Sequence, residues 1–311
     1  MEFSRRSTLA ALAAALAACT DRAAAPTTGV VAAGQPAALL VWAVARERLL
    51  AWPRRPDARA LAALPAAAAD LAQVGALTSG GPPSDLESIA ALRPARIVDY
   101  GDADAEHRLL GERLRARLGV DWTLIDGALA RTAEAIRTCA GLLDVGPRAA
   151  PLADRAEVAL DRWAAAPPGP AFYYARGADG LETGFAGALA TEVLEGAGWS
   201  NVAVGGRDVG RVDRERVAAW DPEALVTLSP AFARTAATDP VWSRRRNGRP
   251  RRILLIPDLP FGWVDRPPSV NRLLGCAWLA DPDGDPAALA DLGQALYGRA
   301  QDPARRPQWI A

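Results

Sequence analysis

From Val30 onward, short apolar runs alternate with longer segments whose apolar residues recur every three or four positions. The short runs, such as "GVVAAG" and "ARIVDYG", have the length and composition of strands. The longer ones, such as "PAALLVWAVA" and "DARALAALPAAAADLA", have helical spacing. This alternation is typical of α/β units built around a mainly parallel sheet. The strands pause after "WTLID" and resume at "AFYYARG", so the pattern predicts two α/β lobes.

Between the two sets of strands, "AAPLADRAEVALDRWAAAP" keeps helical spacing up to a Pro-Pro pair and predicts one long helix. We therefore expect an N-terminal lobe over residues 30–146, a linking helix over 147–168 and a C-terminal lobe over 169–311. Ligands of parallel α/β sheets bind outside the carboxyl ends of the strands. Two such lobes that face each other should enclose a ligand cleft.

One segment occurs twice. "DLESIAALRPARIV" begins at Asp85 and "DRERVAAWDPEALV" begins at Asp213, 128 residues later. In each, a Glu follows the Asp after one intervening residue (Glu87 and Glu215), and a Pro precedes an aliphatic run. The repeat indicates a duplicated helix-then-strand unit, whose copies are expected to be related by a pseudo-two-fold axis.

Residues 1–29 are expected to be an export signal, a lipidation site and a tether. "MEFSRRSTLAALAAALAAC" has paired Arg5 and Arg6, an apolar run too short to span a bilayer, and small residues before Cys19. The small residues resemble a lipoprotein cleavage site, and "SRRSTLA" resembles a twin-arginine signal. A mature chain with lipid on Cys19 would work outside the cytoplasm, anchored to a membrane surface. The alternative is an ordinary signal cut after "ALA", with Cys19 incidental.

Composition excludes several classes of function. The 311 residues carry 36 basic and 36 acidic side chains, so no net positive charge favours nucleic acid. The single histidine, His107, is expected on a solvated helix surface and rules out zinc sites built on several histidines. Nucleophile-elbow and phosphate-loop motifs are absent. Cys139 and Cys276 allow either a disulfide or two separate buried thiols.

Three stretches together carry a family resemblance: the repeat with Glu87 and Glu215, "YYARGADGLETGFAG" from Tyr173, and "PFGWVDRPPSVNRLLG" from Pro260. They resemble the periplasmic solute-binding proteins of ABC importers for metal chelates, namely ferric siderophores, haem and cobalamin. The resemblance runs from about Val30 to the last helix. It implies a monomeric receptor, not an enzyme, with two lobes joined by one rigid helix. It also implies delivery to a permease dimer with its ATPase.

In this family one surface Glu of each lobe meets arginines of the permease, so the resemblance implies permease docking by Glu87 and Glu215. Each Glu also has a purely structural interpretation. Asp85 and Asp213 would cap two helices, and a first-turn Glu is favoured by the helix dipole. The two interpretations are compatible.

Candidate ligand contacts lie at predicted strand ends and in Gly/Pro loops. They are Trp52, Arg54, Arg55, Tyr100, Tyr173, Tyr174, Arg176, Ser229, Trp263, Asp265 and Arg266. Aromatic rings can cover an organic chelator, and arginines can hold carboxylates or an anionic complex. Core packing is the alternative for each aromatic residue, and an ion pair with Asp265 is the alternative for Arg266.

No direct metal site and no cofactor is expected, so that a metal would enter only inside its chelate. Asp99, Tyr100 and Asp102 supply one short oxygen-bearing loop, which is too little for a cation site. Three other functions stay open. The same fold could bind an oxyanion such as molybdate or tungstate, an extracytoplasmic enzyme could use Glu182 or Asp265 as acid or base, and a sensory lipoprotein could bind ligand without serving an importer.

Overall fold

The computed structural model describes residues 28–78 and 82–310. The predicted export signal, with Arg5, Arg6 and Cys19, lies outside the described residues. Within them, no helix combines the length and apolar character that crossing a bilayer requires.

The first lobe is built on a parallel three-stranded sheet with the strand order β1-β4-β5 and a small parallel pair, β2 and β3, beside it. Its strands are β1 (Val30–Ala32), β2 (Ala51–Trp52), β3 (Ala72–Gln73), β4 (Arg96–Gly101) and β5 (Trp122–Asp126). Its helices are α1 (Gln35–Ala45), α2 (Ala58–Ala62), α3 (Ala67–Asp70), α4 (Leu86–Ala91), α5 (Ala105–Leu118) and α6 (Thr132–Leu142). The run "DARALAALPAAAADLA" forms two short helices because Pro65 lacks a backbone N–H and disfavours helical geometry at Leu64.

The predicted linking helix is observed as α7 (Gly146–Ala164). It ends four residues earlier than expected because Pro167 and Pro168 cannot continue it. Its buried residues, among them Leu152, Ala156 and Leu160, recur at helical spacing along one face. Nineteen residues span about 28 Å, so α7 is the longest helix among the described residues.

The second lobe is built on a five-stranded sheet with the strand order β12-β11-β10-β6-β8, parallel except for the edge strand β12. Its strands are β6 (Ala171–Tyr174), β7 (Glu182–Gly184), β8 (Ser200–Asn201), β9 (Val209–Arg211), β10 (Ala224–Thr227), β11 (Arg252–Leu255) and β12 (Gln308–Ile310). Its helices are α8 (Glu192–Gly196), α9 (Arg214–Trp220), α10 (Pro230–Thr238), α11 (Pro240–Ser243), α12 (Arg272–Ala280) and α13 (Pro286–Tyr297). The antiparallel pair of β7 and β9 was not predicted.

The sequence repeat is a structural repeat. Asp85 caps α4 and Asp213 caps α9, each by accepting backbone N–H groups of the first turn. Helix α4 leads to β4, the middle strand of β1-β4-β5, and helix α9 leads to β10, the middle strand of β6-β10-β11. The repeated unit therefore has the same place in the sheet of each lobe. The turns also match, because Arg93 has φ 48° and Asp221 has φ 47°. Both residues therefore adopt the left-handed conformation that closes a helix before a strand.

The two lobes share one hydrophobic core. Trp42 in the first lobe and Trp263 and Leu273 in the second belong to the same buried cluster. Helix α12 packs against α7, and α13 packs against α1. The indole N–H of Trp42 also donates to the carbonyl of Tyr297 at 3.1 Å. The lobes are thus joined by packing over a wide area in addition to the linking helix.

Buried polar contacts tie the lobes together at a second point. The side chain of Arg272 is fully buried; its Nη1 donates to Glu192 Oε2 and its Nη2 to the carbonyl of Gly127, both at 2.6 Å. The other carboxylate oxygen of Glu192 accepts from the N–H of Leu129 at 3.0 Å. Gly127 and Leu129 follow the last strand of the first lobe. We call Glu192, Arg272, Gly127 and Leu129 the interlobe lock.

We expect Arg272→Met to lower the free energy of unfolding by about 2–4 kcal/mol, since it leaves the half-buried Glu192 carboxylate and the Gly127 carbonyl without their donor. Urea unfolding followed by circular dichroism measures this change. Arg113→Met, at an exposed site on α5, is the matched control and should change stability by less than about 0.5 kcal/mol. Equal stability of the two variants would show that the lock contributes nothing.

Candidate functional site

A cavity of about 620 Å³ lies between the lobes, and residues of both lobes line it. On the first lobe its walls include Gln35 and Asp102, which follow strands β1 and β4. On the second lobe they include Arg176 and Leu228, which follow strands β6 and β10. The cavity therefore lies at the carboxyl ends of both sheets, where parallel α/β folds place ligands.

The cleft is lined by charged side chains and by a Pro-rich loop. The loop is the stretch 258–268, which follows β11 and contains Pro260, Pro267 and Pro268. Phe261 is the one aromatic residue that lines the cleft within the described chain, and it is largely buried. The surface offered to a ligand thus combines charged groups with aliphatic and proline side chains and has little aromatic area.

The expected aromatic contacts of the first lobe are wrong. Trp52 is completely buried; its indole N–H donates to the carbonyl of Ala68 at 2.9 Å, and its ring packs against Trp42 and Phe261. Tyr100 is also buried in the core. It lies in the central strand of its sheet, and a strand covered on both faces buries successive side chains.

The aromatic contacts expected in the second lobe are wrong for the same reason. Tyr173 and Tyr174 lie on β6, an interior strand, and both are completely buried. The hydroxyl of Tyr173 donates to the carbonyl of Gly180 at 2.9 Å, and that of Tyr174 to Asp265 at 3.2 Å. Burial raises the pKa of both phenols. Trp263 is buried as well.

Ser229 does not line the cleft either. Its hydroxyl accepts the N–H of Phe232 at 3.2 Å and caps helix α10, which the sequence analysis did not predict. The preceding residue, Leu228, contributes to the wall instead.

All four expected arginines, Arg54, Arg55, Arg176 and Arg266, do line the cleft, but they differ in what already holds them. The guanidinium of Arg55 donates to the carbonyls of Leu71 and Ala69, at 3.0 and 2.6 Å. In the part of the chain that the structure describes, neither Arg54 nor Arg266 forms an ion pair or a side-chain hydrogen bond, and both are exposed. Arg54 belongs to the first lobe and Arg266 to the second, so one unpaired cation stands on each wall.

Arg176 is held in place between two carboxylates. Its Nη1 donates to Glu182 at 2.6 Å, and its Nε lies 3.0 Å from Asp265, an ion-pair distance without hydrogen-bond alignment. Asp265 is buried and also accepts the hydroxyl of Tyr174. Burial raises the pKa of Asp265, and the charge of Arg176 partly opposes that rise. The ion-pair partner of Asp265 is therefore Arg176, while the backbone N–H of Arg266 and, more weakly, its charge also oppose the rise in the pKa of Asp265.

The short oxygen-bearing loop is divided between core and cleft. Asp99 is buried, and burial raises the pKa of its carboxyl group, which accepts from Tyr100 N–H at 2.9 Å and from Thr78 at 3.4 Å. Asp102 lies on the cleft wall and is exposed. Among residues 28–78 and 82–310, no group of three His, Cys, Asp or Glu side chains is placed to hold a metal ion.

The remaining candidates lie away from the cleft lining. His107 is half-buried on α5, with Nδ1 3.3 Å from Asp104. Cys139 and Cys276 are free and buried, so the structure has two separate thiols. Burial raises the pKa of Cys139 to about 12, which makes it unreactive near neutral pH.

Glu87 and Glu215 occupy equivalent positions on the two lobes. Each is the second residue of its helix, α4 or α9, and each is exposed. Both helices have an aspartate cap, as the structural interpretation requires, and a glutamate in the first turn interacts favourably with the helix dipole. Exposure leaves both carboxylates accessible to a partner.

Sequence reasoning missed several cleft residues. Gln35 lines the cleft and its side-chain oxygen accepts the N–H of Arg54 at 3.0 Å. Asp208 and Asp258 also line it, and Asp258 pairs across the cleft with Arg59 at 3.2 Å. Gln35 stands in the first strand-to-helix turn, a position that could have identified it. Asp208 follows "VGGR", which indicates only a loop.

No family model matches the sequence, and no curated protein matches it. Solved structures do match its fold. An ABC transporter solute-binding protein from Sulfurospirillum deleyianum is 21% identical, with 89% of this chain and 92% of that chain covered and a TM-score of 0.77. The molybdate periplasmic binding protein of Haemophilus influenzae, in its molybdate-bound structure, is 18% identical, with 89% and 94% covered and a TM-score of 0.66. The periplasmic vitamin B12 binding protein of Vibrio cholerae is 18% identical, with 86% and 99% covered and a TM-score of 0.60.

These matches extend over nearly the whole of each protein. The chain therefore has the fold of the solute-binding proteins of ABC transporters.

Proposed function

We propose that this protein is the extracytoplasmic substrate-binding component of an ABC importer, and that it captures a metal chelate with anionic groups and delivers it to the permease. The observation that carries the proposal is the pair of unpaired arginines, Arg54 and Arg266, on opposite walls of a preformed cleft. Charge-assisted hydrogen bonds to carboxylate or similar oxygens are the strongest contacts such a cleft can make. The role is binding, since Glu182 and Asp265 both serve to hold Arg176.

The size of the cleft favours a chelate. Its volume of about 620 Å³ falls in the range of about 300–1,000 Å³ that is usual for sites of drug-sized molecules. The metal would arrive inside the chelate, because the described residues offer no ligand set of their own. An iron–siderophore complex that carries carboxylate groups would suit this cleft.

A second candidate is a small oxyanion such as molybdate or tungstate. The same two arginines support it, and the similar structure from Haemophilus influenzae binds molybdate. A tetrahedral oxyanion would fill only a small part of the cleft, so this function would require additional closure of the lobes.

Docking to the permease would use Glu87 and Glu215. Their equivalent, exposed positions on two similar lobes suit a permease dimer, which presents two equivalent basic sites. Lipid on Cys19 would keep the monomeric receptor near that permease at the membrane surface.

We expect the tryptophan fluorescence of the protein to fall on titration with a ferric chelate, because Trp52 lies one aromatic ring away from the cleft, behind Phe261. The panel should contain ferric siderophores, haem, corrinoids, molybdate and tungstate, all at equal ionic strength. A response to the oxyanions alone would favour the second candidate. Absence of any response would count against a receptor function.

We expect Arg54→Gln combined with Arg266→Gln to weaken binding of an anionic chelate by about 100-fold or more, because each charged hydrogen bond contributes about 1.5–3 kcal/mol. Isothermal titration measures the affinity. Arg113→Gln removes an exposed arginine elsewhere and should leave it unchanged. Unaltered affinity in the double variant would refute the assignment of these two residues to the ligand.

We expect Glu87→Arg combined with Glu215→Arg to abolish ligand uptake by cells while ligand affinity in solution stays the same, because docking and capture use different surfaces. Glu106→Arg is the matched control, since Glu106 is another exposed first-turn glutamate, on α5. Normal uptake by the double variant would mean that these glutamates do not dock on a permease.

A further inference from the structure

The amino end of helix α1 lies at the cleft. The helix follows β1 after two residues, and its first two residues, Gln35 and Pro36, line the cleft. The N-cap residue is Gly34, which has no side chain to accept a backbone N–H, and the first turn carries no acidic residue. The helix dipole places partial positive charge at this end. The first turn of α1 therefore presents that charge at the cleft wall without a compensating side chain of its own.

Two backbone N–H groups of this turn have no acceptor. Pro36 has no N–H, and the N–H groups of Gln35 and Ala37 form no hydrogen bond with any described residue. Both residues are buried. The geometry of a helix leaves the N–H groups of its first turn free, and helix N-termini bind anions for this reason. The N–H of Gln35 is therefore a donor without an acceptor at the cleft wall.

The side-chain amide of Gln35 supplies further donors. Its Oε1 accepts the N–H of Arg54 at 3.0 Å, which fixes the orientation of the amide because only the oxygen can accept. The Nε2 group carries two N–H donors and has no partner in the part of the chain that the structure describes. Gln35 is only 6% exposed and yet lines the cleft, so its free amide group faces the cleft.

The same hydrogen bond holds Arg54 beside the end of the helix. Its backbone nitrogen lies 3.0 Å from Gln35 Oε1. An N–Cα bond adds about 1.5 Å, so the Cα of Arg54 is within about 4.5 Å of that oxygen. The guanidinium lines the cleft, is exposed and has no ion pair or hydrogen bond with a described residue. An arginine attached this close to the amide can reach an anion that Gln35 binds. The nearest acidic residue along the chain, Asp57, is already engaged as the cap of α2.

A buried contact with the second lobe fixes the first turn of α1. The hydroxyl of Ser269, which is completely buried, donates to the carbonyl of Pro36 at 2.6 Å. Ser269 follows the Pro-rich loop 258–268, part of the cleft wall of the second lobe. The turn therefore keeps its place without a ligand, and binding needs no rearrangement of its donors.

We propose that the amino end of α1 is the subsite that recognises one oxyanion group of the ligand, held by the Nε2 and backbone N–H of Gln35 and by the guanidinium of Arg54. The group is the carboxylate arm of a chelate or a free oxyanion, since either has enough lone pairs for several donors at once. This inference rests on the proposed receptor function and names the residues that select the anionic group. All the groups of the subsite are donors, so it discriminates against an ammonium group, which brings only donors.

The test uses Gln35→Glu, which keeps an acceptor for the N–H of Arg54 and replaces the Nε2 donors by a carboxylate oxygen. Negative charge is favourable at a helix N-terminus, so the thermal midpoint should not fall. The new carboxylate occupies the place of the ligand's anion and should exclude it. Gln73→Glu is the matched control, because Gln73 accepts the N–H of Arg55 in the same way, at 2.9 Å, but lies outside the cleft lining.

Isothermal titration at equal ionic strength compares three probes: molybdate, a ferric trihydroxamate chelate with one terminal carboxylate, and the same chelate with that carboxylate converted to a neutral amide. We expect the wild-type protein to bind the carboxylate form at least about tenfold more tightly than the amide form. Gln35→Glu should weaken the carboxylate form by about 100-fold and the amide form by less than about threefold. Gln73→Glu should change neither affinity. If a free oxyanion is the ligand, molybdate is the probe that binds and that loses affinity in Gln35→Glu.

A second variant, Gln35→Met, removes the amide donors without adding charge. It keeps the test valid if Gln35→Glu does not fold, which thermal unfolding of the same samples shows. We expect Gln35→Met to weaken the carboxylate form by about tenfold, because the backbone N–H and Arg54 still bind the anion.

Two results would overturn the subsite while the receptor function stands: equal binding of the two chelate forms by the wild-type protein, or a carboxylate preference that survives in both Gln35 variants. In the second case the anion would bind elsewhere in the cleft. Failure of the folded wild-type protein to bind any of the three probes would instead contradict the proposed receptor function, and the subsite with it.

Discussion

The separation of the two lobes is the constraint on which the site depends. Helix α7 joins them at one place, and the interlobe lock joins them at another through the buried Arg272. Packing of α12 on α7 and of α13 on α1 fills the space between these two connections with a continuous core. A motion that opened the lobes widely would expose this core and separate Arg272 from the Gly127 carbonyl and Glu192 from the Leu129 N–H. The cleft is therefore formed before any ligand arrives, and little free energy is needed to order it.

The fixed separation of the two lobes determines which charged side chains of the cleft remain unpaired. Arg54 of the first lobe and Arg266 of the second line the cleft without an ion pair or a side-chain hydrogen bond to any described residue. Asp265 and Glu182 are already committed to Arg176, and Asp258 to Arg59. The remaining charges must be satisfied by water or by a ligand, and a ligand that matches them gains charge-assisted bonds without rearrangement of the protein.

The fold was predictable from the sequence because its signals are periodic and local. The repeat at Asp85 and Asp213 identified two equivalent helix-then-strand units, and both appear with their caps and left-handed turns. The position of the cleft was predictable, but the residues that line it were predictable only in part. Tyr100, Tyr173 and Tyr174 stand near strand ends in the sequence, yet the covering helices bury both faces of their strands. The pattern could not show how far each strand extends before the chain leaves the sheet.

Hydrogen bonds and ion pairs between residues far apart in the sequence could not be predicted from the sequence. The stretch "PFGWVDRPPSVNRLLG" contributes to the family resemblance, but the partners of its Arg272 are distant in sequence: Glu192 lies 80 residues away and Gly127 lies 145 residues away. The four expected arginines, by contrast, do line the cleft, and their contact with a ligand stays a prediction.

Spin labels on the ligand-free protein test the fixed separation most directly. One pair of labels, at the exposed Ala116 and Ala231, spans the two lobes, and a reference pair, at Ala116 and the exposed Thr138, lies within the first lobe. Pulsed electron–electron double resonance measures both distance distributions. A single interlobe population no broader than the reference is the predicted result. A clearly broader distribution, or two separate interlobe distances, would contradict it.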